Sequence, residues 1–225
     1  MAATGLEGWG GSGSGGGGGG GAGAGGLFGG GPPGGAGPHL SPDGRRHMKK
    51  KIVILGDPAV GKTSLIRRYV LNAFDERYIS TIGARVSKKE VGVRTVTPPV
   101  RMDMMIWDLI GSKESSRLHE MYYKGAEGAL VVCDISRLST IENMGMWVES
   151  FRKGVGDRPA ILIINKADLQ GFWTLDEDGM ESLAARHHTF YYMTSAKTGA
   201  NVEAAFLRLG EEMVLRDLRR GLDDF

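Results

Sequence analysis

A single cysteine, Cys133, leaves this 225-residue chain unable to form an internal disulfide and fits a reducing compartment. No apolar run approaches the roughly 20 residues that span a bilayer. The first residues lack the basic and apolar regions of a secretory signal. Ala2 follows the initiator where myristoylation needs glycine, and the last five residues, Gly221 to Phe225, hold no cysteine to prenylate. Net charge is only +2, too balanced for a polycationic nucleic-acid binder. These absences point to a cytoplasmic chain with no integral membrane segment and no nucleic-acid partner.

Glycine and proline are unevenly spread. Residues 1–47 hold 22 of the 37 glycines and four of the eight prolines. Such a stretch buries too little apolar area to offset its backbone entropy, so 1–47 reads as a disordered leader. Residues 48–220 have ordinary globular composition and form one expected domain, with 221–225 a short tail.

Within that domain, apolar runs alternate with helical periodicity. Lys51–Leu55, Ala129–Asp134 and Ala160–Ile164 have the length and continuity of buried strands. Arg85–Gly92 and Val100–Trp107 form a strand pair across Pro98-Pro99. Helices are expected over Ser64–Leu71, from a capping box at Ser139–Glu142 to about Lys153, over Leu175–His187 and over Val202–Arg219, with a strand near Thr189–Met193. The pattern indicates a mostly parallel sheet covered on both faces, with ligands bound beyond the carboxyl ends of the strands.

Each apolar run ends in chemistry. The first leads into Gly56-Asp57-Pro58-Ala59-Val60-Gly61-Lys62-Thr63, a full match to the phosphate-loop pattern. Its amides, and those of the helix that opens near Ser64, converge on anionic oxygens; Lys62 adds a charge, and the Thr63 hydroxyl suits Mg²⁺. Chance alone gives such a match in about one chain in a hundred. Asn165-Lys166-Ala167-Asp168 closes another run, where a carboxylate can accept from the N1–H and 2-amino groups of guanine. Adenine offers neither donor, and sites of this kind reject the wrong analogue by roughly 10⁴ or more. Asp108 and Gly111 form a D-x-x-G after a third strand, suited to a water-bridged Mg²⁺ and a γ-phosphate. Ser195, Ala196 and Lys197 follow the last strand and offer amides to a base oxygen.

Four motifs in this order resemble those of a Ras-superfamily small GTPase over residues 50–218. The resemblance implies a P-loop G domain, with a six-stranded, mostly parallel sheet that has one antiparallel edge strand. It implies binding of GTP and GDP with Mg²⁺ and hydrolysis of GTP. Thr81 resembles the threonine that reaches Mg²⁺ and the γ-phosphate, Tyr78 lies in the same segment, and Phe74 resembles the aromatic that packs on guanine. Lys62, Thr81, Gly111 and residue 112 stand at the catalytic positions; Thr63, Thr81 and Asp108 stand at the metal positions. Effectors and regulators would meet residues 74–84 and 108–122 of a monomer. Ser80–Gly83, Trp107-Asp108 and Tyr122–Ala126 lean toward the Rab branch.

Three positions depart from that pattern. Ser112 stands where most members carry the glutamine that orients the attacking water, which implies slow unassisted hydrolysis. Pro58 brings a fixed φ and no N–H to the loop. Val86 replaces a usual phenylalanine in a surface triad with Trp107 and Tyr122. A non-hydrolysing, GTP-dependent binding module therefore stays open as the alternative, and Asp168 disfavours an ATP-using enzyme.

Overall fold

A computed structural model describes residues 39–40, 46–75, 83–109 and 121–223. In chain order these form β1 (His39–Leu40), β2 (Arg46–Leu55), α1 (Lys62–Leu71), β3 (Ala84–Val93), β4 (Val100–Leu109) and β5 (Gly128–Asp134). There follow α2 (Leu138–Glu142), α3 (Met144–Val155), β6 (Ala160–Asn165), a 3₁₀ turn at Gln170–Phe172, α4 (Glu177–Arg186), β7 (Tyr191–Met193) and α5 (Val202–Asp223).

The main sheet runs β3-β4-β2-β5-β6-β7. Only β3 on this path is antiparallel to its neighbour, as the sequence predicts. The two-residue β1 adds an antiparallel pairing to the start of β2. Every residue of β5 and β6 is buried, which explains their unbroken apolar runs.

Side-chain alternation in β2 feeds both faces of the sheet. Ile52 and Ile54 enter a core shared with α1 and α5, while Val53 and Leu55 enter a second core with α3 and α4. Tyr69 of α1 stacks on Phe206 of α5 at a centroid distance of 3.9 Å. Tyr123 meets Phe151 of α3 edge-on at 5.7 Å.

Several boundaries differ from those expected. β2 starts at Arg46, five residues before the expected strand start at Lys51, with Arg46 and His47 paired to Val100 and Arg101 of β4. α5 runs to Asp223, past the expected helix end at about Arg219. The Ser139–Glu142 capping box does not form: Ser139 lies inside α2, whose N-cap is Arg137 with no side-chain cap. The Thr140 hydroxyl ties this turn to the end of β5, accepting from the Asp134 N–H at 3.0 Å and donating to the Arg137 carbonyl at 2.8 Å. Asn143, between α2 and α3, keeps right-handed helical dihedrals, so the single expected helix is nearly continuous.

Candidate functional site

The phosphate-loop residues leave β2 at a rim where three other strand ends converge. Gly56 has φ +134°, and a Cβ there would lie 2.1 Å from the Val132 carbonyl oxygen on β5. Gly61 has φ +102°, and a Cβ there would lie 2.3 Å from Asn165 Nδ2. Both glycines are therefore demanded by backbone conformation and by close approach. Ala59 also takes positive φ, at +60°.

Lys62 opens α1 with its side chain folded back over the loop. Its ammonium donates to the carbonyls of Gly56 and Asp57, each at 2.8 Å. Burial pushes its pKa down to about 8; Asp108 and Asp57 pull upward against it, and the Arg137 charge adds to the fall. Thr63 Oγ1 donates to Asp108 Oδ2 at 2.6 Å, bringing together two of the three expected metal-site residues. A hydroxyl and a carboxylate form an all-oxygen donor pair of the kind that fits Mg²⁺. Asp108 is only 2% exposed, so a cation there would meet a poorly hydrated charge. Ser64 lies partly buried in the first turn of α1.

Asn165 joins the Gly56–Thr63 loop to the segment after β7. Its Nδ2 donates to the Val60 carbonyl at 2.8 Å, while its Oδ1 accepts from Thr194 Oγ1 at 3.1 Å and Ala196 N at 3.3 Å. Asp168 Oδ1 accepts from Ser195 Oγ at 2.6 Å, and Ser195 Oγ accepts from Thr198 N at 3.0 Å. Lys166, at φ +65°, sends its ammonium 2.6 Å from Asp134 Oδ2.

Four residues that sequence reasoning did not single out complete the rim. Asp134 is buried at the end of β5; burial raises its pKa, but hydrogen bonds from Lys166 and Ser136 and the Lys166 charge outweigh this and hold it below the usual value. Arg137 bridges Asp134 Oδ2 and the Pro58 carbonyl, each at 2.9 Å. The Asp57 carboxylate, facing away from the loop's interior, accepts from Asn143 Nδ2 at 2.6 Å and Trp147 Nε1 at 2.8 Å. An N-x-x-x-W spacing one helical turn apart was the available signal for that pair.

Phe74 packs partly buried on the core beneath α1 and α5. Tyr78, Thr81, Gly111 and Ser112 lie outside the described residues, as do most of 74–84 and 108–122. The surface triad does assemble. Val86, 44% exposed, pairs in register with Trp107, whose ring lies 6.2 Å from that of Tyr122. Lys51 Nζ sits 4.2 Å over the Trp107 ring. Both aromatic side chains also pack on the second core, so they are structural and partly exposed at once. Among the described residues no helix is long and apolar enough to cross a membrane.

Comparison with known proteins agrees with this rim. The sequence model of the Ras family matches residues 51–215. The chain is 36% identical to the Ras-related protein RABA5d of Arabidopsis thaliana over 169 residues, covering 75% of this chain and 73% of the relative. It is 35% identical to the Ras-related protein Rab7 of Drosophila melanogaster over 170 residues, covering 72% and 79%. It is 32% identical to the Ras-related protein Rab-13 of Rattus norvegicus over 168 residues, covering 74% and 80%. With the family model matched over most of the chain and several Ras-related relatives above 30% identity, the chain belongs to the Ras family of small GTPases.

Proposed function

We propose that this chain is a molecular switch that binds GTP and GDP with Mg²⁺ and hydrolyses GTP to GDP and phosphate, slowly when unassisted. The observation that carries the reading is Asn165, one side chain hydrogen-bonded both to the phosphate loop at Val60 and to the base-side loop at Ala196. A ligand long enough to fill both loops pairs a polyphosphate with a purine.

In that reading, the loop amides and the Lys62 ammonium hold the phosphates, and Lys62 exchanges its Gly56 and Asp57 carbonyls for phosphate oxygens. Asp168 selects guanine through N1–H and the 2-amino group. Thr63 and Asp108 would hold Mg²⁺, with Thr81 joining them; bound there, the ion supplies charge neutralisation at the β- and γ-phosphates. Water attacks the γ-phosphorus in line, and the bond to the β–γ bridging oxygen breaks toward GDP. Gly111 offers its N–H to the γ-phosphate. Ser112 is too short to orient the water as glutamine does, so a partner supplies that group when turnover is fast. Effectors and regulators read residues 74–84 and 108–122 when the γ-phosphate is bound.

The second reading, a GTP-loaded binding module that does not turn over, is favoured by Ser112 alone. Nucleotide content of the purified monomer, followed over hours, separates the two: conversion of bound GTP to GDP supports the switch, and unchanged GTP supports the module. Absence of any bound guanine nucleotide, with no calorimetric heat on adding GDP and Mg²⁺, would defeat both.

A further inference from the structure

We infer that Arg68 is a positioning residue for guanine recognition, acting through the backbone of the loop at Ser195–Lys197; the inference rests on the guanine-nucleotide reading above. Arg68 lies on α1, nearly two turns beyond Lys62, and reaches across to the base side. Its Nε donates to the Ala196 carbonyl at 2.8 Å, and its Nη2 donates to the Lys197 carbonyl. Nη1 points the other way, to Asn72 Oδ1 at 3.3 Å and the Asn72 carbonyl at 3.4 Å, at the C-cap of α1.

Three features make this more than a surface contact. The guanidinium is a planar fork, so acceptors on three of its nitrogens fix both its position and its plane. Among the described residues Arg68 meets no carboxylate, so its charge is directed at peptide carbonyls rather than consumed in an ion pair. Its stem also runs beneath Gly199, where an added Cβ would stand 3.6 Å from Arg68 Cδ.

The consequence for recognition follows from peptide geometry. In a trans peptide the C=O and the next N–H point in opposite directions. Holding the Ala196 carbonyl toward Arg68 turns the Lys197 N–H toward the opposite side of the loop. Hydrogen bonding of a cation to a carbonyl also polarises its peptide and strengthens the N–H as a donor. Asn165 Oδ1 holds the preceding amide, that of Ala196, from the inner side. The loop is thus clamped between Asn165 and Arg68, which fixes the orientation of the Lys197 amide relative to an acceptor at purine C6. Guanine carries an oxygen there; adenine carries an amino group.

The test measures GDP release from the full chain with Mg²⁺, for wild type, Arg68→Lys and Arg68→Gln, using GDP and 6-thio-GDP. The thio analogue keeps the N1–H and 2-amino donors but replaces O6 with a larger, weaker acceptor. Loss of one well-placed hydrogen bond corresponds to about a tenfold change. Arg68→Gln is expected to release GDP about tenfold faster, with Arg68→Lys intermediate, while 6-thio-GDP release changes by less than about twofold. Equal acceleration with both nucleotides would reduce Arg68 to a general structural role and overturn the inference, as would wild-type GDP release in both variants. A wild-type chain that binds no guanine nucleotide would instead defeat the parent reading.

Discussion

Asp57 and Trp147 are 90 residues apart in sequence, yet Trp147 Nε1 donates to Asp57 Oδ1 at 2.8 Å. The second residue of the phosphate loop is thereby anchored to α3, on the sheet face opposite α1. Asn143 Nδ2 donates to the other carboxylate oxygen at 2.6 Å, so both oxygens are engaged. Asp57→Ala deprives the buried Trp147 Nε1 and the part-buried Asn143 Nδ2 of their acceptor, at a cost of about 1–3 kcal/mol for a buried group left without its acceptor. Denaturant unfolding checks the loss. Trp147→Phe, which removes one donor and keeps an aromatic ring in the core, should cost less than Asp57→Ala, and equal costs would show that packing outweighs the hydrogen bonds.

Gly61→Ala combines a collision with backbone strain. The new Cβ would meet Asn165 Nδ2 at 2.3 Å, on a residue at φ +102°. Strain of this kind costs about 1–3 kcal/mol. Displacing Asn165 would also separate the two loops it joins. Titration with GDP should find binding abolished in a chain that circular dichroism shows to be folded.

Asp168→Asn replaces an acceptor-only carboxylate with an amide. Guanine should lose roughly 10⁴ in affinity, while xanthine nucleotides, which carry an oxygen in place of the 2-amino group, should gain. Competition between GDP and XDP reads the ratio; an unchanged preference for GDP would remove Asp168 from base selection.

Lys62 predicts a proton linkage. Its pKa stands at about 8 without ligand, because burial outweighs the attraction of Asp108 and Asp57. Anionic phosphates favour the charged ammonium, so binding raises this pKa and takes up protons near and above pH 8. Affinity should therefore fall as pH rises from about 8 toward 10. Calorimetry in buffers of different ionisation enthalpy should find about half a proton taken up at pH 8, absent in Lys62→Met.

Ser112→Gln restores a side chain long enough to hold a water near the γ-phosphate. Single-turnover GTP hydrolysis should accelerate at least tenfold; general acid–base and orienting groups are worth roughly 10²–10⁴ when fully engaged. No acceleration would mean that Ser112 does not limit the reaction.

Much of this was legible from local sequence. The buried strands β5 and β6 showed as continuous apolar runs, and the phosphate loop and Asn165–Asp168 were recognisable because their spacing is short and fixed. What escaped notice depends on contacts between distant segments. Arg68 belongs to no motif, and its partners at Ala196 and Lys197 lie 128 and 129 residues further along the chain. Asp57 was read for its backbone, whereas its carboxylate turns toward α3. Asp134 closed an apolar run and gave no sign that Lys166 and Arg137 share it. The capping box does not form because the helix opens at Leu138, which places Ser139 inside its first turn and not ahead of it.

The alternation along β2 makes that strand a register key. Ile52 and Ile54 are committed to one core, Val53 and Leu55 to the other, and Gly56 follows directly. Inserting or deleting one residue between Lys51 and Leu55 would exchange the two sets and swing the next turn to the wrong side of the sheet. Length, more than the identity of any aliphatic side chain, is the property of this strand that cannot drift.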